Sequence, residues 1–183
     1  MDIMLDLETM GNGSDCAIVA IGAVAFDMKT RTVGESFYCV VDLTSSIKTG
    51  GVCDGSTIMW WMEQSEEARA ALTRQKGVHL AQALASFAVW YDRVAGTEGD
   101  VWGNGATADN VWLSNAYRRL ELRRPWSYKQ DRCYRTVRAL FPQVEREPYG
   151  TAHNALDDAM GQALHLIKLL GPVMSVEQTG ETK

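Results

Sequence analysis

Proline and cysteine occur four times each and histidine three times among the 183 residues, and each scarcity excludes something. Cys16, Cys39, Cys53 and Cys133 stand singly, with no CxxC pair, which leaves neither a zinc knuckle nor a disulfide framework. The expectation is reduced thiols in a cytoplasmic protein. No Pro-rich linker, internal repeat or low-complexity tract divides the chain. The longest apolar run, Ala17 to Phe26, falls short of the ~20 residues that a membrane-spanning helix needs, so no membrane partner is expected. The opening MDIMLDLETM places Asp2 and Asp6 where a signal peptide needs a basic region followed by an unbroken apolar stretch. Positive charge is also in the minority. With 18 Lys and Arg against 23 Asp and Glu, the net charge is −5, which argues against a general nucleic-acid coat protein, because phosphate binding rests on clustered cations.

What is present reads as a soluble globular chain: 46% apolar and 22% charged residues are ordinary proportions. The expectation is a single domain over residues 1–174 with a flexible polar tail over 175–183. Met1–Leu5 and Cys16–Phe26 read as strands, joined by the polar, Gly-bearing 10–15 connection, and Thr32–Asp42 as a third. Leu43–Ser56, with three glycines, reads as loop. Helical spacing follows at Thr57–Leu72 and Leu80–Val94, with a short strand at Val101–Gly103. Further helices are expected at Ala108–Leu122, Cys133–Leu140 and Ala155–Leu170. In the last, Leu156, Met160, Leu164 and Ile167 form an apolar stripe at spacings of three and four. Strands in series followed by alternating helix and strand predict an α/β fold: a mixed central sheet, made of a three-strand meander plus short parallel strands, flanked by helices.

The charges are unevenly spread. From Arg118 to Arg138 only Glu121 and Asp131 oppose a series of arginines and Lys129, so the rest of the chain is strongly acidic. Asp6 and Glu8, two apart near the end of the first strand, aim at the same side. Asp109 sits where a short strand gives way to a helix, a position that the helix dipole favours for an acid. In HNALDDAMGQALHL, Asn154 can cap the last helix with Asp157 at its third position. Adjacent helical residues point about 100° apart, so only one of Asp157 and Asp158 can join a focused site, and spacing does not choose between them. Acids gathered from three regions repel unless cations bridge them. Carboxylate oxygens are the ligands of Mg²⁺ and Mn²⁺, and two such ions about 4 Å apart can hold both oxygens of a phosphoryl displacement.

Asp6-Leu-Glu8-Thr9, then Asn104 with Asp109, then His153-x-Ala155-x-x-Asp158 resembles the DEDD exonuclease superfamily in its DEDDh branch, which also holds polymerase proofreading subunits, RNase T and oligoribonuclease. Order and spacing match over roughly residues 2–170. The opening DLETMGNGSDCAIVAIGAVAFD and MWWMEQS at Met59–Ser65 resemble more narrowly the phage and prophage exonuclease A and exonuclease VIII-like group and a related bacterial 3′–5′ exoribonuclease. The resemblance implies an RNase H-like fold, two divalent cations (Mg²⁺ or Mn²⁺), and 3′ to 5′ release of nucleoside 5′-monophosphates from single-stranded DNA or RNA ends. It implies Asp6, Glu8, Asp109 and Asp158 as metal ligands, the frame selecting Asp158 over Asp157, and His153 as general base. Histidine suits that work because its reference pKa of about 6.5 is close to working pH.

Thr9 and Met10 are expected to touch the terminal nucleotide, Met10 replacing the threonine of the commoner DLETTG form. Asn104 joins them as a substrate contact. Trp60 and Trp61 are candidates for base stacking, with at least one expected in the core. Trp112 is expected to pack. Arg119, Arg124, Arg132 and Arg135 either hold phosphates or solvate a helical face, with Arg132 the candidate contact. His79 and His165 carry no assigned role. A homodimer is the assembly that similar enzymes suggest. An oligoribonuclease-like scavenger of short RNA and a catalytically silent binding module are the alternatives. The presence of all five active-site positions argues against the second.

Overall fold

Side-chain alternation in the first strand, β1 (Asp2–Thr9), determines which way the acids face. In the computed structural model, which describes residues 1–105 and 107–177 (side chains of 172–177 excepted), Ile3, Leu5 and Leu7 enter one hydrophobic cluster and Met4 another. The two-residue period then sets Asp6 and Glu8 on the face of Met4. The strand runs on through Asp6 and Glu8 to Thr9 instead of stopping before them. β2 (Ile18–Asp27) and β3 (Thr32–Val40) complete the antiparallel meander, with Asp6 opposite Gly22. β4 (Val101–Gly103) lies parallel to β1, and β5 (Asp131–Cys133) parallel to β4. The sheet order is β3-β2-β1-β4-β5, the expected mixed α/β arrangement.

Helices cover both faces. α1 (Leu43–Lys48), α2 (Gly55–Glu63) and α3 (Glu66–Thr73) follow the meander. α4 (Leu80–Val94) and α5 (Asp109–Arg119) bury Phe87, Trp90, Tyr91 and Tyr117 against Ile3, Leu5 and Leu7. α6 (Tyr134–Leu140) and α7 (Ala155–Glu177) pack on the other face, against Met4, Val24 and Phe26.

Five local expectations need correction. α1 forms where a loop was expected: Asp42 Oδ2 accepts from Ser45 N at 2.7 Å and Ser45 Oγ from Leu80 N at 3.0 Å, so a cap and a tertiary contact override weak Ser/Thr propensity. The helix expected over Thr57–Leu72 breaks in two because Ser65 Oγ accepts from Ala68 N and starts α3 anew. Residues 131–133 are strand rather than the approach to a helix, since pairing with β4 satisfies their backbone. The apolar stripe of α7 is misphased. Ala155, Ala159, Ala163 and Leu166 are buried, while Leu164 is 42% exposed. Finally, α7 continues to Glu177, and residues 178–183 of the expected tail lie outside the described residues.

The alanine stripe has a cause in β2. A Cβ built on Gly22 would run into the backbone of Ala155 and Leu156, so glycine on the strand and alanine on the helix permit a close approach. That approach lands the first turn of α7 beside Asp6.

Candidate active site

Carboxylates from both ends of the chain meet at this junction. Asp6, Glu8 and Asp158 each offer an oxygen, and these oxygens lie within 4.8 Å of one another. Asn154 caps α7, its Oδ1 accepting from Leu156 N at 3.0 Å and Asp157 N at 3.2 Å. Asp157 turns away: its Oδ2 accepts from Thr151 N at 2.8 Å, which pins the preceding loop and makes no reciprocal capping box. Asp158 faces the sheet, its Oδ2 accepting from His153 N at 2.9 Å and its Oδ1 from Arg146 Nη2 at 3.1 Å.

The electrostatics follow from burial and crowding. Desolvation, then Asp158 and Asp109, push the Glu8 carboxyl up to about 8. Asp6 is held well above the usual carboxylate range by desolvation, then by Asp109, Glu8 and Asp158, with the Gln162 hydrogen bond opposing. A set of hard oxygen donors whose charges destabilise one another fits a divalent cation such as Mg²⁺ or Mn²⁺, which neutralises them together.

Asp109, the expected fourth ligand, stands beside the trio and not within it. Its Oδ1 accepts from Leu7 N at 3.2 Å and its Oδ2 from Asn104 N at 2.9 Å. Burial raises it to about 6 against those backbone hydrogen bonds. Asn104 thus meets the site through its backbone. His153 sits in the loop before α7 at φ 61°, its ring 4.8 Å from that of Trp60, edge to face.

The substrate expectations divide. Met10 borders an apolar groove with Ile58, Trp61 and Met62. Thr9 Oγ1 turns inward to donate to Gly11 O at 2.7 Å. Trp60 is 40% exposed beside His153, whereas Trp61 is buried and its indole N–H donates to Thr9 O at 2.9 Å. Trp61 therefore offers no free stacking face; its ring braces the end of β1. Trp112 packs against the α4/α5 cluster as expected. Arg132 is not at the site. It pairs with Asp100 at 3.0 Å, and its backbone is in register with Trp102 and, across β4, with Met4, about 13 Å along β1 from Glu8 at the rise of a strand. Arg119 and Arg124 are likewise committed, to Asp15 and Asp131. His79 caps α4, and His165, for which no partner was expected, bonds Tyr134 Oη and Val144 O.

Two contributors escaped the sequence reading. Gln162 Nε2 donates to Asp6 Oδ1 at 2.8 Å; its place four residues after Asp158, on the same helix face, was a readable signal. Arg146 had none, because it comes from an irregular loop.

Comparison with known proteins supplies independent findings. Residues 1–170 match the family described as the 3′-5′ exoribonuclease Rv2179c-like domain. An exodeoxyribonuclease of Enterobacteria phage T4 is 38% identical over 76 residues, a match that spans 37% of this chain and 33% of that relative's length. The fold is similar to the nuclease domain of 3′hExo, a DEDDh family member bound to rAMP, with a TM-score of 0.60 at 14% identity over 93% of this chain and 91% of that one. It is also similar to exonuclease X in complex with 5′ overhanging duplex DNA, with a TM-score of 0.54 at 14% identity over 94% and 92%.

Proposed function

Because the chain belongs to the family of the 3′-5′ exoribonuclease Rv2179c-like domain, we propose that it is a metal-dependent 3′–5′ exonuclease releasing nucleoside 5′-monophosphates from single-stranded DNA or RNA ends. The observation that carries this reading is the convergence of Asp6, Glu8 and Asp158 within 4.8 Å. Asp6, Glu8 and Asp158 would hold two divalent cations, Mg²⁺ or Mn²⁺. Asp109 would act with them from behind, its two oxygens occupied by the N–H groups of Leu7 and Asn104. The cations would supply Lewis-acid polarisation of the scissile phosphate and charge neutralisation.

The chain's own residues do the rest. Gln162 orients Asp6 by holding one of its oxygens. The His153 imidazole, on a loop tied to Asp158 through its backbone N–H, takes the proton of the attacking water as general base. Trp60, half-exposed beside that ring, offers a face to the terminal base, with Met10 and the groove it borders next to it. A homodimer in the cytoplasm completes the proposal, its assembly state read by sedimentation.

The test is a time course with 5′-labelled linear and circular single strands of DNA and RNA, with Mg²⁺ or Mn²⁺ and with chelator. The expected result is a descending ladder from the 3′ end, an intact circle, and no reaction in chelator. Nicking of the circle, or a 5′ mononucleotide as first product, would overturn the exonuclease reading.

A further inference from the structure

Four of the eight cations of the basic 118–138 segment are committed elsewhere. Arg118 and Arg119 pair with Asp15, Arg124 with Asp131, and Arg132 with Asp100. Three other arginines line one cleft. α6 presents Arg135 and Arg138, both exposed and one turn apart, and the loop that returns to α7 brings Arg146 across from them. Among the described residues Glu145 is the one carboxylate in the same lining, which His165 also joins.

The cleft meets the site at its inner end, where Arg146 reaches Asp158 at 3.1 Å. Its field reaches His165, held below the ordinary histidine range by burial first, then by Lys168, Arg138 and Arg146. Gly161 lies beneath this loop: a Cβ there would crowd Tyr149 Cβ at 3.3 Å and touch Arg146 Nη1 at an ordinary 3.9 Å, which sets the guanidinium against the surface of α7 beside Asp158.

We propose that the cleft of Arg135, Arg138 and Arg146 carries the phosphodiester backbone of the substrate strand to the carboxylates, with Arg146 at the inner end. Guanidinium groups suit the task because their forked donors match phosphate oxygens and they remain charged at any working pH. At the inner end Arg146 exchanges its contact with Asp158 for one with the phosphate nearest the site. A row of cations leading to an anionic site draws in a polyanion that the net charge of −5 would otherwise repel. The inference rests on the exonuclease reading for the identity of the strand.

The test is fluorescence anisotropy of a labelled unstructured 12-nucleotide strand in chelator, over a range of salt concentrations. Each arginine changed to glutamine should lower the slope of log affinity against log salt by about 0.7, and the triple variant by about 2, the increment per neutralised phosphate of a single strand. Arg→Lys variants should retain the slope. Arg93→Gln, which removes the same charge from an exposed pair with Glu35, should also leave it unchanged. A triple variant with wild-type slope overturns the cleft, as does an equal loss from Arg93→Gln. Wild-type protein that shortens the strand with Mn²⁺ while the variants keep its slope strikes the cleft alone. Arginine-dependent slopes in a protein that never shortens the strand strike the exonuclease reading and leave the cleft standing.

Discussion

The two faces of the central sheet are packed with different materials. Under α4 and α5 the strands bury Ile3, Leu5 and Leu7 against Phe87, Trp90, Tyr91 and Trp126. Under α7 they offer Met4, Gly22 and Val24 to a row of alanines. Large side chains supply transfer free energy, about 1.5–3 kcal/mol for each fully buried Leu, Ile or Phe. Small ones supply proximity, because a helix rides closer to a sheet where neither carries bulk. The carboxylates gather on the small-residue face, where short side chains can meet across the interface, and the apolar face offsets the cost of bringing them together.

The largest test of this division is removal of a carboxylate. Asp6→Asn or Asp158→Asn should lower hydrolysis by more than about 100-fold, since even groups that merely support a metal ligand are worth 10–100-fold. Both variants should be as stable as wild type, or more so, when metal-free, as unfolding in chelator would read. Substantial cleavage by both would remove the site from this face. His153→Ala should follow, with kcat reduced by about 10²–10⁴-fold while calorimetry still registers Mn²⁺ binding. Loss of metal binding as well would recast His153 as a structural element of the loop.

The contrast between the faces sharpens with a pair of variants. Leu5→Ala should cost about 2–5 kcal/mol as a cavity, yet the folded protein should still gain melting temperature from Mg²⁺ or Mn²⁺. Gly22→Ala should cost about 1–3 kcal/mol through overpacking against Ala155 and should lose most of that gain, because α7 is pushed off Asp6. Equal retention of the metal effect would mean that close approach is not what assembles the site.

Stability against pH carries the same signature. The Glu8 carboxyl is raised from 4.5 to about 8 in the fold, so folding favours its protonated form. Its contribution is present in full below about 4.5 and is lost as pH rises through 8. The urea midpoint in chelator should therefore fall between pH 5 and pH 8, and added Mn²⁺ should flatten the dependence. A midpoint that climbs over this range would show that the acids are not mutually destabilising. The smallest effect belongs to Asp157→Ala, about 1 kcal/mol or less of stability from releasing Thr151 N, with turnover retained. A loss of activity equal to that of Asp158→Ala would put the helix in the wrong phase.

The DxE spacing on a strand and the cap at Asn154 were legible because each is a local pattern whose geometry follows from the period of its element, and the HxAxxD frame was legible as a family resemblance. That local information determined the mixed α/β class and the facing of Asp6 and Glu8, whereas the preference for Asp158 over Asp157 came from the family resemblance. Sequence alone misphased α7, since the stripe Leu156, Met160, Leu164 and Ile167 is the more apolar one and only the absence of a side chain at Gly22 explains why the alanines win the interface. It also misplaced Arg132, because charge spacing does not reveal that Asp100 lies next to it across β4 and β5, and it left open which of Trp60 and Trp61 would be buried, a choice that falls on Trp61, whose indole N–H meets the Thr9 carbonyl at the end of β1. Arg146 and Gln162 entered the site by tertiary structure. Which donors reach a carboxylate is set by how closely a helix and a sheet approach, and that distance is a property of two surfaces together, which neither segment encodes by itself.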